Sequence, residues 1–203
     1  MYFTTFYNKK QYCTLLIVKL IIGLGNPEAK YKKTRHNTGF MALDRITSDW
    51  QEKPKFHANI SETDSNGEKV LFFKTTDNYN TTGLGARALK DFYKLENADI
   101  LVIHDELVLP VGTIRNRVGG SDAGNNGIKD LNAHLGQDYN RIRVGIAQAD
   151  RTNSDVDFVL SPFNETEAEK LQDVLTITDD LIDDFINGNF KVTSHKIKED
   201  PTD

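Results

Sequence analysis

At 203 residues the chain has the length of one domain with one core, and its 38% hydrophobic and 27% charged residues suit a soluble globular protein. No apolar run approaches the length that spans a bilayer, and the single cysteine, Cys13, excludes an internal disulfide and a cysteine metal site, as fits a reducing cytoplasm. The net charge of −5 hides an asymmetry: 14 acidic and 5 basic residues lie from Asp150 onward, leaving 20 basic and 16 acidic before it, so an anion-binding surface on the body remains open.

Residues 1–18 hold no lasting helical or strand period and read as an N-terminal extension; residues 19–190 read as one domain and 191–203 as a polar tail. The apolar run 15–22 has the composition of a buried strand and stops at Gly23-Leu24-Gly25-Asn26-Pro27, where the backbone must turn. Next comes His36, flanked by Arg35 and Asn37, and then Phe40, Leu43, Ile46 and Trp50 at helical spacing, which puts His36 at a helix start on the rim of the sheet. Further strands are predicted at 69–74, 99–104, 112–118 and 141–147. Helices are predicted at 85–95, at 127–135 with Gly136 as the stop, and at 165–187, whose apolar stripe backs an acidic face. The alternation predicts an α/β single domain: a twisted, mixed, largely parallel sheet flanked by helices on both faces.

Two other stretches carry chemistry. His104-Asp105-Glu106 closes an apolar strand with three titratable side chains, and the loop 119–127 feeds a short helix whose first amides are free to bind an anion or a carbonyl. Gly23-Leu24-Gly25 matches a dinucleotide fingerprint only at its first two glycines, and Glu28 would point negative charge at a pyrophosphate, which argues against a nicotinamide cofactor. There is no Gly-x-Ser-x-Gly elbow, no phosphate-binding Walker loop and no His-Glu-x-x-His pair, and the histidines at 36, 57, 104, 134 and 195 have no metal-ligand spacing. What remains is a histidine and an aspartate without a nucleophile. If His36 and Asp105 meet, Asp105 accepts one imidazole proton and leaves the other nitrogen as a base for water. Asn26, Asn80 and Asn126 are suited to holding a carbonyl and its developing oxyanion. Spacing alone leaves a second reading of His36 open, as a surface or capping histidine.

Taken together these segments resemble the bacterial-type peptidyl-tRNA hydrolases. The matching runs are Gly23 to Pro27, Tyr31 with Thr34-Arg35-His36-Asn37 and Gly39-Phe40, His104 to Leu107 with Leu109-Pro110 and Gly112, Gly119-Gly120, Asn126 to Lys129, Arg141 to Ile146, and Phe158 to Phe163. They stand in the family's order, from about Lys19 to about Phe190. The resemblance implies hydrolysis of the ester joining a peptidyl group to the 3′ end of tRNA, with peptidyl-tRNA as partner, no metal, no organic cofactor, no membrane, a monomer, and a cytoplasmic location. It implies His36 as general base and Asp105 as the acid that orients it. By the same correspondence Asn26, Tyr79, Asn80 and Asn126 hold the substrate, Tyr31 lines the site for the terminal nucleotide, and Arg117 and Arg143 grip the tRNA 5′ phosphate, with Arg115 and Lys129 extending that surface.

The chain departs from the family pattern at four places. Asn125 stands where the family carries a histidine, Tyr79 where it carries a methionine, Glu28 replaces a glycine, and residues 1–18 precede the usual start. Asparagine does not titrate, so these departures support an alternative, a non-catalytic tRNA-binding homologue. A third reading, a small-molecule esterase, keeps the chemistry and ignores the arginines.

Overall fold

The computed structural model describes residues 18–148, 152 and 154–197. Cys13 and all of the N-terminal extension except Val18 lie outside the described residues. The apolar run becomes β1 (Val18–Gly23) in the middle of an eight-stranded sheet. On one side it pairs in parallel with β4 (Glu68–Thr75), and on the other with β5 (Ile100–Pro110), which pairs in parallel with β7 (Asn140–Ala147). Both flanks are antiparallel: β2 (Gln51–Lys53) and β3 (Ala58–Ser65) continue from β4, while β6 (Thr113–Val118) and β8 (Ser194–Lys196) continue from β7. The parallel character is therefore concentrated at the centre.

Strand alternation sorts the core into two layers. Leu20, Ile22 and Leu24 face α2 (Thr82–Tyr93) and α3 (Asn126–Leu135), whereas Ile21 faces α1 (Thr38–Ile46) and α5 (Glu165–Ile186). Helices thus cover both faces, as expected. A short α4 (Asp155–Val159) adds a small third cluster, in which its Phe158 and Val159 join Ile146.

Three boundaries depart most from those predicted. β5 does not end at His104 but runs to Pro110, because Asp105 and Glu106 find hydrogen-bonding partners inside the protein, His36 and Tyr79 for the first and Arg143 for the second. α1 stops at Ile46, so Trp50 is not on the helix; it folds back and its indole N–H donates to Asp44 at 2.9 Å. α2 starts three residues early, at Thr82. The polar stretch after 190 also contributes to the sheet, through Ser194–Lys196 on β6. No helix of the described residues is long and apolar enough to cross a membrane.

Candidate active site

β1 and β5 run parallel and deliver their carboxyl ends to the same edge, where open α/β sheets hold their ligands. Gly23 and Gly39 allow α1 to sit directly on that edge. A Cβ on Gly39 would lie 2.4 Å from the Ile103 carbonyl, and one on Gly23 2.4 Å from the Gly39 carbonyl. The single turn Arg35–Asn37 that precedes α1 is thereby held above β5.

His36 and Asp105 meet there. The His36 Nδ1 lies 3.0 Å from Asp105 Oδ2, with the carboxylate buried and the imidazole side chain 15% exposed. An ionised carboxylate only accepts, so the neutral ring carries its proton on Nδ1 and leaves Nε2 as a base. The second carboxylate oxygen, Oδ1, accepts from the Tyr79 hydroxyl at 2.6 Å. The Tyr79 ring also stacks on the imidazole, with centroids 3.5 Å apart and planes 13° from parallel. Tyr79 is only 1% exposed, so it stands behind His36 as a support. Asn125 Nδ2 in turn donates to the Tyr79 hydroxyl at 2.9 Å.

Burial works to raise the Asp105 carboxyl, but the His36 ring, the hydrogen bonds from His36 and Tyr79, and His104 outweigh it and hold the group below its ordinary 3.8. Burial first, and then the Asp105 charge, push the Tyr79 phenol well above its ordinary 10.0. The phenol is therefore a donor at every working pH.

These groups form one wall of a cleft of about 250 Å³. Asn26, Tyr31, Asn80 and Asn126 also line it, and Val156, Val159 and Leu160 add an apolar part to its lining. Asn26 is fixed by three hydrogen bonds: its Oδ1 accepts from the Tyr79 amide at 2.9 Å, and Asn37 bonds both its backbone N–H and its carbonyl. Asn80 and Asn126 are exposed at the mouth. A larger groove of about 720 Å³ lies on the α1 side and meets the cleft at Asn26. Glu28 lines that groove, which contains neither His36 nor Asp105; the pair lines the smaller cleft alone.

The arginines sit together on one sheet face. Arg115 is in register with Arg143, and Arg117 with Arg141, across β6 and β7. Arg143 Nε donates to Glu106 Oε2 at 2.9 Å, so this guanidinium is pinned at one edge to a cleft residue. Arg117 packs its guanidinium under Gly120. Arg141 is buried and ties down the loop before α3 through the Gly120 and Ser121 carbonyls at 2.6 and 2.8 Å. Lys129 is exposed on α3.

Sequence reasoning missed the part played by Arg35. Its guanidinium is buried between the rings of Phe158 and Phe163, at 4.4 and 4.7 Å, and donates to Glu167 Oε2 at 2.6 Å. Its amide donates to the Ser161 carbonyl at 3.0 Å, which clamps the His36 turn to the segment before α5. An arginine next to a histidine carries no sequence signal for burial. Among the described residues no group of three or more His, Cys, Asp or Glu is placed to hold a metal ion.

Comparison with known proteins bears on the family and the fold. The profile of the family described as peptidyl-tRNA hydrolase matches residues 20–202. The peptidyl-tRNA hydrolase of Lactobacillus delbrueckii subsp. bulgaricus is 41% identical over 175 residues, 84% of this chain and 94% of that protein. The one from Aliarcobacter butzleri is 38% identical over 164 residues, 81% and 90% of the two chains. Among solved structures, peptidyl-tRNA hydrolase from Acinetobacter baumannii superposes with a TM-score of 0.79 at 28% identity, covering 84% of this chain and 89% of that one.

Proposed function

The chain belongs to the peptidyl-tRNA hydrolase family, and from that premise we propose that the His36–Asp105 pair performs the family's hydrolysis in the cleft. The reaction cleaves the ester between a peptidyl group and the 3′ end of tRNA. The Nε2 of His36 takes a proton from water as the water oxygen attacks the ester carbonyl, and Asp105 stabilises the imidazolium that forms. Asn26, Asn80 and Asn126 hold the carbonyl oxygen as it becomes an oxyanion. The imidazolium then returns its proton to the departing 3′ oxygen, releasing peptide and free tRNA. Water attack of this kind needs a base and amide donors, so the reading calls for no metal and no organic cofactor. Tyr31 borders the terminal nucleotide, and Arg117 and Arg143 take the 5′ phosphate, a role suited to guanidinium geometry. We place the enzyme in the cytoplasm, acting as a monomer.

The observation that carries this reading is the 3.0 Å contact between His36 Nδ1 and Asp105 Oδ2. It also removes the ground for a non-catalytic homologue, because Asn125 supports the pair through Tyr79 and leaves it intact. Incubation with peptidyl-tRNA is expected to release free tRNA, and His36→Ala to lower the rate by about 10²–10⁴-fold. Equal rates for the two proteins would reject the role of His36.

A further inference from the structure

We infer that Tyr79 and Asn125 form a one-directional hydrogen-bond chain that positions the catalytic pair and sets the pH at which its base becomes active. The inference rests on the reading of His36 as the base. The two positions at which the sequence departs from the family inside the cleft are bonded to each other, Asn125 Nδ2 to Tyr79 Oη at 2.9 Å.

The direction of the chain follows from the fold. Asn125 caps α3, and its Oδ1 accepts from the Ile128 amide at 3.0 Å, so the amide group that faces Tyr79 is the NH₂. An NH₂ only donates, so the phenol oxygen accepts from it, and its own proton is directed at Asp105 Oδ1, 2.6 Å away. Asp105 then accepts from two sides, and its other oxygen holds the proton of His36 Nδ1. The ring is further held by the stack at 3.5 Å. Gly127 makes room for this arrangement, since a Cβ there would lie 2.3 Å from the Tyr79 ring. Every link is neutral except the carboxylate, so no step of the support titrates near neutrality.

A donor on Oδ1 spreads the Asp105 charge and makes it a weaker partner for the imidazolium. Removing the hydroxyl concentrates the charge, favours protonated His36, and moves the rising limb of activity to higher pH. The other titratable and charged groups around the pair are unchanged by that substitution: His104 and Glu106 on β5, Arg143 on β7 bonded to Glu106, Arg35 bonded to Glu167, and Tyr31 and Asp155 in the lining of the cleft.

The test is the pH profile of kcat/KM on peptidyl-tRNA for the parent, Tyr79→Phe, Asn125→Ala and His36→Ala. Tyr79→Phe keeps the stack, and its rising limb is expected to shift up by about 0.5–1 pH unit. Asn125→Ala, which removes the donor to the phenol, is expected to shift the limb in the same direction by less. Superimposable limbs for the parent and Tyr79→Phe overturn the inference, as does a downward shift. Should Tyr79→Phe not fold, Asn125→Ala decides alone, with an unshifted limb overturning the proposal. His36→Ala separates the two failures: if it is as active as the parent, the underlying reading falls and the chain with it.

Discussion

His104 precedes Asp105 on β5, and its ring is sealed in the core. Its Nδ1 donates to the Asp105 carbonyl at 2.8 Å, while Nε2 is buried without a hydrogen-bond partner among the described residues. Burial lowers its basicity below the ordinary 6.5, against the pull of Asp105, so the folded protein holds this ring neutral. The unfolded chain takes up that proton more readily. The stability from His104 is therefore fully present above pH 6.5 and is lost as pH falls below it toward the folded value. Urea unfolding between pH 7 and 5 is expected to show this loss, and His104→Gln to show less of it. Arg35 raises the opposite problem, a buried charge that must stay paired. Arg35→Met leaves the Glu167 carboxylate without its cation and is expected to cost about 3–5 kcal/mol in unfolding free energy.

Among the elements, α5 shows how a remote helix reaches the site. Its N-terminus is a capping box: Asn164 Oδ1 accepts from the Glu167 amide, and Glu167 Oε2 accepts from the Asn164 amide, each at 2.9 Å. The same Glu167 oxygen takes Arg35, so the cap, the clamp and the His36 turn share one carboxylate. Asn164→Ala is expected to destabilise the fold by about 1 kcal/mol while kcat stays at the parent value, as checked by thermal unfolding and turnover. α2 begins three residues before the predicted start, at Thr82. Gly83 and Gly85 lower helical propensity, yet both are needed where backbones touch: a Cβ on Gly85 would lie 2.2 Å from the Phe56 carbonyl, and one on Gly83 2.5 Å from His134 of α3. β3 gives no strand signal in sequence because its alternation fades after Ile60, where Glu62, Thr63 and Asp64 are exposed. β5 outruns its predicted end because polar residues normally signal a strand's end, whereas here Asp105 and Glu106 are buried against His36, Tyr79 and Arg143.

At the scale of the whole molecule, the arginines of β6 and β7 are gathered on one face of the sheet. Ile114 and Ile142 point into the layer covered by the acidic helix α5, so their neighbours Arg115, Arg117, Arg141 and Arg143 occupy the opposite face. A net charge of −5 therefore coexists with a basic stripe beside the cleft. Arg117→Ala and Arg143→Ala are each expected to raise KM for peptidyl-tRNA more than they lower kcat, and to reduce the salt dependence of log KM by about one unit of slope. Unchanged KM and slope in both variants would remove the arginines from tRNA binding.

The α/β class, the central strands and the candidate residues were legible in the chain because each rests on local information: an apolar run, a helical period, a motif. His36, Asp105 and Asn26 could be named for that reason. Their meeting is decided by tertiary structure, because it depends on parallel pairing that brings residues 36 and 105 to one sheet edge. The same holds for Tyr79 and Asn125. Each reads as an isolated departure in sequence, and only packing across 46 positions makes them one hydrogen-bonded unit. Burial converts the two substitutions into a support for Asp105, since a phenol excluded from water must find partners, and the fold supplies one donor and one acceptor.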